Sequence, residues 1–280
     1  MEIHHYTRAS TLPLILQSGK LRFTRADHLD DLLELPFKAF HLSRQAYFVS
    51  SWVKSTIETS GLWYRYGDQH RGVRLSFKTS PFPLKKLRFE LSRPYKSLDG
   101  ELKSVGFMLN DLPAPFAKET MFGKGFVLMP WGDEDSFGGD VTYVENPAEY
   151  VKQFVRSTPD LTEITGGSRL CRIKATQWKD QSEFRFALGA IRGPELTYED
   201  NPDEYEHELL NLMEKWLSSG TGAPSPDLPF IDLPIDTLML DHMTVTLGSG
   251  ISGKDREAVL QAIQSYAPNA KVLESVILAR

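Results

Sequence analysis

Three short segments concentrate the side chains capable of chemistry. The first is His4-His5-Tyr6-Thr7 near the start of the chain. A histidine on a strand is more often an ordinary structural residue than a general base or a ligand contact. The second segment, 46–66 (AYFVSSWVKSTIETSGLWYRY), runs from an apolar stretch through Ser50 and Ser51 into a cluster of aromatics. Such aromatics more often form a core than a ligand platform. The third is Trp178-Lys179-Asp180-Gln181-Ser182-Glu183-Phe184-Arg185. If it enters a strand, alternation puts Glu183 and Arg185 on one face and Phe184 and Phe186 on the other. A same-face Glu-Arg pair at the surface is worth under about 1 kcal/mol.

Other chemistries are tested by their spacing and fail. Residues 248–255 (GSGISGKD) approach a phosphate-binding loop, but Asp255 stands where a magnesium-binding hydroxyl belongs. The plainer reading is a tight strand-to-helix turn, with a phosphate or nucleotide site as the competing one. His207-Glu208 opens like a zinc-protease helix, yet the second ligand position is Asn211. No Cys/His spacing supports a zinc site, so no metal is expected. No G-x-S-x-G elbow nominates a catalytic serine. Cys171 is the single cysteine, which excludes an intrachain disulfide, and its apolar neighbours mark it as a small buried hydrophobe.

The elements that must position these residues follow from periodicity and caps. Residues 2–7 read as a strand, and 10–18 as a helix with Ser10 or Thr11 as N-cap and Gly19 as its stop. Strands are expected from 21, over 47–51, 72–77 and 87–91, and part of 107–122 is expected to be helical. Residues 132–139 form an acidic glycine-rich loop, and 146–158 a helix with Pro147 in its first turn. Residues 169–175 and 183–188 read as a hairpin around 179–181. The strongest helix signal is 202–217, with Pro202 and acidic residues at its N-terminal end. After the linker 218–229 come a strand (243–247), a helix (254–266) and a strand (271–278). The expected organisation is thus a main core, 1–217, and a C-terminal β-α-β unit, 230–280.

With 280 residues, 41% hydrophobic and 25% charged, the chain has the composition of a folded globular protein with a substantial core. Its net charge of −5 argues against broad nucleic-acid binding. The N-terminus lacks a signal-peptide pattern, and no run of about 18 apolar residues occurs. A cytoplasmic location and no membrane partner are expected.

Taken in order, these segments resemble the bacterial family called domain of unknown function 2971. The matching blocks are His5-Tyr6-Thr7, Ile15-Leu16 through Phe23, Asp30-Asp31-Leu32-Leu33-Glu34, Trp63 through Phe77, and Lys174 through Arg185. Val245-Thr246-Leu247-Gly248 extends the likeness to nearly the whole chain. Asp30 and Leu32 replace the family's Asn and Pro, and Gln181 its first late Glu. That family supplies no activity.

A more distant resemblance supplies one. His5-Tyr6-Thr7 with Ile15-Leu16 and Gly19 is similar to the opening of ADP-ribosyltransferases of the poly-ADP-ribose-polymerase type. Tyr47-Phe48 followed by Lys54-Ser55 resembles their next block, and Gln181-x-Glu183 the Q-x-E turn of some bacterial transferase toxins. The resemblance implies an α+β fold with a split, mostly antiparallel sheet and flanking helices. It implies NAD as substrate and a catalytic set of Glu183, His5 and Tyr47. Glu183 would stabilise an oxocarbenium-like species and orient a ribose hydroxyl, His5 would bond the adenosine ribose, and Tyr47 would pack on nicotinamide. Thr7, Ser50, Ser55, Trp63, Tyr66 and Arg185 complete the implied NAD-contacting set. The family's second aromatic falls at Glu58, with Trp63 and Tyr66 as the nearest substitutes. The competing expectation is a non-catalytic nucleotide- or protein-binding sensor module of a bacterial defence or stress system. The acceptor, protein or nucleic acid, is left open.

Overall fold

The structure, a computed structural model, describes residues 2–31, 35, 43–97, 99–130, 134–157 and 162–278. Residues 32–34 of the acidic block, 132–133 of the glycine-rich loop and 158 of the expected helix lie outside the described residues.

The chain opens with β1 (Ile3–Thr7), α1 (Thr11–Ser18), β2 (Lys20–Arg25), β3 (Tyr47–Val53), α2 (Ser60–Tyr66) and β4 (Val73–Phe77). A long hairpin follows, β5 (Lys85–Lys96) and β6 (Leu102–Ala114). Short elements come next: α3 (Lys118–Met121), β7 (Phe122–Gly123), β8 (Phe126–Met129), α4 (Glu134–Phe137), β9 (Gly138–Asp140) and β10 (Thr142–Val144). Then α5 (Pro147–Val151), β11 (Val155–Ser157), β12 (Thr162–Ile164) and β13 (Ile173–Ala175) lead to the long β14 (Glu183–Arg192). The chain closes with α6 (Pro202–Ser219), β15 (Phe230–Pro234), α7 (Thr237–Asp241), β16 (Thr244–Leu247), α8 (Gly253–Tyr266) and β17 (Lys271–Glu274).

The result is an α+β architecture built on one eleven-stranded sheet, mostly antiparallel, with flanking helices. Its main order is β17-β16-β4-β1-β3-β14-β8-β7, with β2 also on β3, β15 on β2 and β9 on β14. The C-terminal β16-α8-β17 segment is parallel within itself, and β16 pairs antiparallel with β4. The C-terminal strands therefore share hydrogen bonds with the N-terminal ones.

Local chemistry accounts for the helices that hold this sheet. Helix α1 buries Leu12, Ile15 and Leu16, one face of a 3.6-residue repeat, and Gly19 ends it in the left-handed region at φ 62°. Ser10 precedes it with helical backbone angles and makes no side-chain cap, so neither expected capping hydroxyl performs that task. Helix α6 is capped by Asn201, whose side chain accepts from the Glu204 amide, and Gly220 closes it. It packs Tyr205, Leu209 and Leu210 against the core and lies on the β5–β6 hairpin.

Several expectations are corrected where long-range pairing outweighs local pattern. The helical part expected within 107–122 is confined to 118–121, and 107–114 are strand because β6 completes a hairpin with β5. The helix expected over 146–158 stops at Val151, passes through a 3-10 turn and becomes β11. No 169–175/183–188 hairpin forms. Residues 167–172 and 176–181 are 3-10 turns, β13 pairs in parallel with β10, and β14 takes β3, β8 and β9 as neighbours. The last strand ends at Glu274 rather than 278.

The turn after β16 resolves the phosphate-loop likeness. The amides of Gly248 and Gly250 are bonded to the Gly72 and His70 carbonyls, and that of Ile251 to the Gly248 carbonyl. A Cβ at Gly248 would lie 2.2 Å from the His70 carbonyl oxygen. Ser252 caps α8 through the Asp255 amide, and Lys254 is exposed. The glycines thus serve close backbone packing, and their amides are already used. Gly248→Ala is expected to lower stability by about 1–3 kcal/mol in urea denaturation, as overpacking does. Lys254→Ala should stay within about 0.5 kcal/mol. Equal effects would contradict this packing role.

Candidate functional site

Strand β3 carries the site because its two edges are treated differently. Along one edge β14 pairs with it from Tyr47 to Val53 without interruption. On the other edge β2 pairs only at Phe48 and Val49, and β1 only at Val53. Residues Ser50, Ser51 and Trp52 are left between two strands that have parted. The His5 ring crosses this gap, its Nδ1 donating to the Ser51 carbonyl at 3.0 Å, which leaves Nε2 as the acceptor nitrogen.

A cavity of about 190 Å³ occupies the gap. His5, Ser50, Trp52, Tyr66, Gln181 and Glu183 are among the residues that line it. Register assigns their faces. His4 and Glu183 are both partners of Val53, so these three share one face, and His5 belongs to the opposite one. The His5 ring accordingly lies 5.0 Å from Trp52, whose indole packs on Phe77 and Phe186. Residues of both faces meet at this cavity because the sheet is open there.

Glu183 anchors a buried ion cluster. Arg185 donates from Nε to Oε1 at 2.7 Å and from Nη2 to Oε2 at 3.1 Å, and Lys174 donates to Oε2 at 3.1 Å. Arg185 also donates to the Cys171 carbonyl, and Lys174 to Gln181 Oε1 at 2.9 Å. Carboxylate and cations are each more than nine-tenths buried. The alternation of 183–186 is as expected, but the pair is internal, not a surface ion pair, since β14 lies inside the sheet. Burial pushes the Glu183 carboxyl up, but Arg185, Lys174 and hydrogen bonds from Arg185 and Ser51 outweigh it and hold it down at about 2. Burial lowers His5, with the Ser51 carbonyl acting the other way. Burial raises Tyr66, and the neighbouring Glu183 and Asp30 add to it. Both rings are therefore neutral at pH 7.

Gln181 supplies a donor. Lys174 occupies its Oε1, so the buried Nε2 is the remaining group and has no hydrogen-bond partner among the described residues. The Tyr143 hydroxyl accepts from the Glu183 amide at 2.9 Å and fixes the start of β14.

The sequence-nominated residues separate into two groups. His5, Ser50, Tyr66 and Glu183 line the cavity, and Arg185 stands behind Glu183. Tyr47 does not line it. It is buried with Val49, Cys171 and Ala187, six residues along β3 from the Glu183 row, about 20 Å at strand rise. Trp63 is packed edge-on to Tyr6, its indole N–H donated to Glu58. Ser55 bonds within its own turn, to Ile57, and Thr7 ends β1 beyond the cavity lining. Lys174, Ser51 and Trp52 join the site without having been singled out for it. Ser51 and Trp52 adjoin Ser50 in sequence, whereas nothing local signals that Lys174 turns back to Glu183.

Among the described residues, no group of three or more His, Cys, Asp or Glu is placed to hold a metal, and no helix is long and apolar enough to cross a membrane. No protein-family model, curated protein or solved structure matches the chain.

Two pH windows follow. Glu183 falls from an ordinary 4.5 to about 2 in the fold, so its contribution is full above pH 4.5 and is lost as pH drops toward 2. His4 is lowered from 6.5 to about 4 by burial and then by Arg74, so protonating it costs stability as pH falls from 6.5 to 4. In urea denaturation across pH, His4→Gln should flatten the upper window and leave the lower. Glu183→Gln should cost about 3–5 kcal/mol at pH 7, because the buried charges of Arg185 and Lys174 lose this carboxylate, and less as pH approaches 2. An unchanged upper window in His4→Gln would contradict the assignment.

Proposed function

We propose that the chain is an ADP-ribosyltransferase-like enzyme that cleaves the nicotinamide–ribose bond of NAD in the cavity between β1 and β3, the ribose carbon bonding to a nucleophile, an acceptor group or water, as nicotinamide departs. The observation that carries this reading is an ionised, immobilised carboxylate, Glu183, lining a gap that also collects His5, Trp52 and Tyr66. The polar end of the gap, Glu183 with Gln181 and Ser51, suits a ribose: a fixed negative charge and a fixed amide donor, Gln181 Nε2. The aromatic end suits a planar ring. At about 190 Å³ the cavity is smaller than the roughly 300 Å³ of ordinary ligand sites, so it accommodates the nicotinamide riboside end while the rest of NAD extends outside.

Glu183 acts here as a fixed anion rather than as a proton shuttle, because its oxygens already accept from Arg185, Lys174 and Ser51. As the bond to nicotinamide lengthens, positive charge grows on the ribose, and a preorganised carboxylate stabilises it without reorientation. Tyr66, rather than Tyr47, is the tyrosine in reach of the ring. Glu183 and Tyr66 therefore carry the proposal, with His5 holding the gap open through Ser51.

A second reading, a non-catalytic binding module, is favoured by one feature: His5 and Glu183 arise from opposite faces of the sheet. Nicotinamide release from labelled NAD separates the two. The proposal expects turnover by the wild type, a loss of about 100-fold or more in Glu183→Gln, and a raised KM in Tyr66→Leu, with thermal melting recorded for each variant. Saturable NAD binding with no nicotinamide released would establish the binding module. Neither binding nor release would remove NAD as the ligand.

A further inference from the structure

The cavity between β1 and β3 holds a side-chain nitrogen whose bonding capacity is unused. His5 Nδ1 donates to the Ser51 carbonyl at 3.0 Å, which fixes the tautomer and leaves a lone pair on Nε2. Nε2 has no hydrogen-bond partner among the described residues. The ring is only partly buried and lines the cavity. Burial opposes its protonation, so at pH 7 Nε2 is a vacant base.

The other titratable groups of the lining are unsuited to receive a proton. They are His4 and Tyr6 of β1, Arg22 of β2, Tyr66 of α2 and Glu183 of β14. The oxygens of Glu183 already accept from Arg185, Lys174 and Ser51. His4 is bonded to Ser76 through Nδ1 at 2.7 Å, and its Nε2 is fully buried. Burial raises both tyrosines, so they keep their protons. Arg22 is a cation paired with Asp232. Asp30, which helps to raise Tyr66, lies outside the lining.

We infer that His5 is the general base of this site and that its acceptor is water, so that the chain hydrolyses NAD to ADP-ribose and nicotinamide. The inference rests on the NAD reading and adds the acceptor to it. The step leaves one proton to place. The bond from ribose C1′ to the pyridinium nitrogen breaks, and its electron pair neutralises that nitrogen, so nicotinamide leaves without a proton. The water oxygen bonds to C1′ through a lone pair, and one of its protons passes to His5 Nε2 and then to solvent. The Ser51 carbonyl, already bonded at Nδ1, stabilises the imidazolium formed.

Two features of the site favour this division of labour. His5 and Glu183 reach one gap from opposite faces of the sheet, so an anion and a base act on different sides of one sugar. The cavity, about 190 Å³, is taken up by the nicotinamide riboside end, and the acceptor that fits beside it is the smallest hydroxyl.

Nicotinamide release and ADP-ribose formation by the full chain, followed across pH with and without azide, test the inference. Hydrolysis by the wild type should fall on the acid side of 6.5 as His5 is protonated. That limb should persist in His4→Gln and vanish in His5→Asn. Asparagine keeps an N–H for the Ser51 carbonyl but has no basic nitrogen, so H5N should hydrolyse NAD about 100-fold more slowly. Azide attacks C1′ without giving up a proton. It should therefore restore nicotinamide release in H5N, with ADP-ribosyl azide as the product by mass spectrometry. In the wild type the azide product should lack the acid limb, which decides the matter if H5N melts early. Hydrolysis by H5N at the wild-type rate, no response of H5N to azide, or an acid limb lost in His4→Gln instead would each overturn His5 as base and leave NAD cleavage standing. ADP-ribose joined to protein in place of free ADP-ribose would overturn water as the acceptor. No nicotinamide release by the wild type would overturn this inference and the NAD reading together.

Discussion

Strand β3 is asked to serve two neighbours on one edge, and they do not meet. β1 is committed along its whole length to β4, and β2 along most of its length to β15, so each belongs to a different flank of the sheet. Only β3, backed by β14, joins the flanks. Unpaired backbone groups inside a protein are costly, so a three-residue interruption persists only if something satisfies it. His5 does so for the Ser51 carbonyl, and its ring spans the opening. The cavity is thus a consequence of how the strands are shared.

The buried charges depend on that arrangement. Taking Glu183, Arg185 and Lys174 out of water costs several kcal/mol each, recovered only with good geometry and further hydrogen bonds. Those bonds come from distant segments: the Cys171 carbonyl, the Gln181 amide and Ser51. The two 3-10 turns before β14 bring Cys171 and Gln181 to the cluster, and β3 brings Ser51, which is why a simple hairpin would not serve. Alternation along β14 then gives adjacent residues to different surroundings, Glu183 to the cavity and Phe184 to the hydrophobic core.

Much of the scaffold was legible from residue pattern. Helix α1 was readable with its stop at Gly19, and α6 from Pro202 and its acidic first turn, because helix starts and stops follow local rules. The alternation of Glu183 to Phe186 was equally plain. Within 107–122 only 118–121 is helical, because β6 draws the pairing of 107–114 from β5. Tyr47 illustrates the same limit within the site. Its type suited the role, but distance along a strand is rigid, and six residues remove it from the Glu183 row.

By itself, then, the sequence determined some local matters: that 11–18, 202–217 and 254–266 are helical, which residues alternate on β14, and that Glu183 and Arg185 share a face. These depend on neighbours a few residues apart. Only the tertiary structure decided that this ion pair is internal, that Lys174 joins it, that His5 reaches the cavity from the opposite face, and that Gly248 is packing rather than phosphate chemistry. Those outcomes turn on which strands pair and where two of them part, energies shared among segments far apart in the chain.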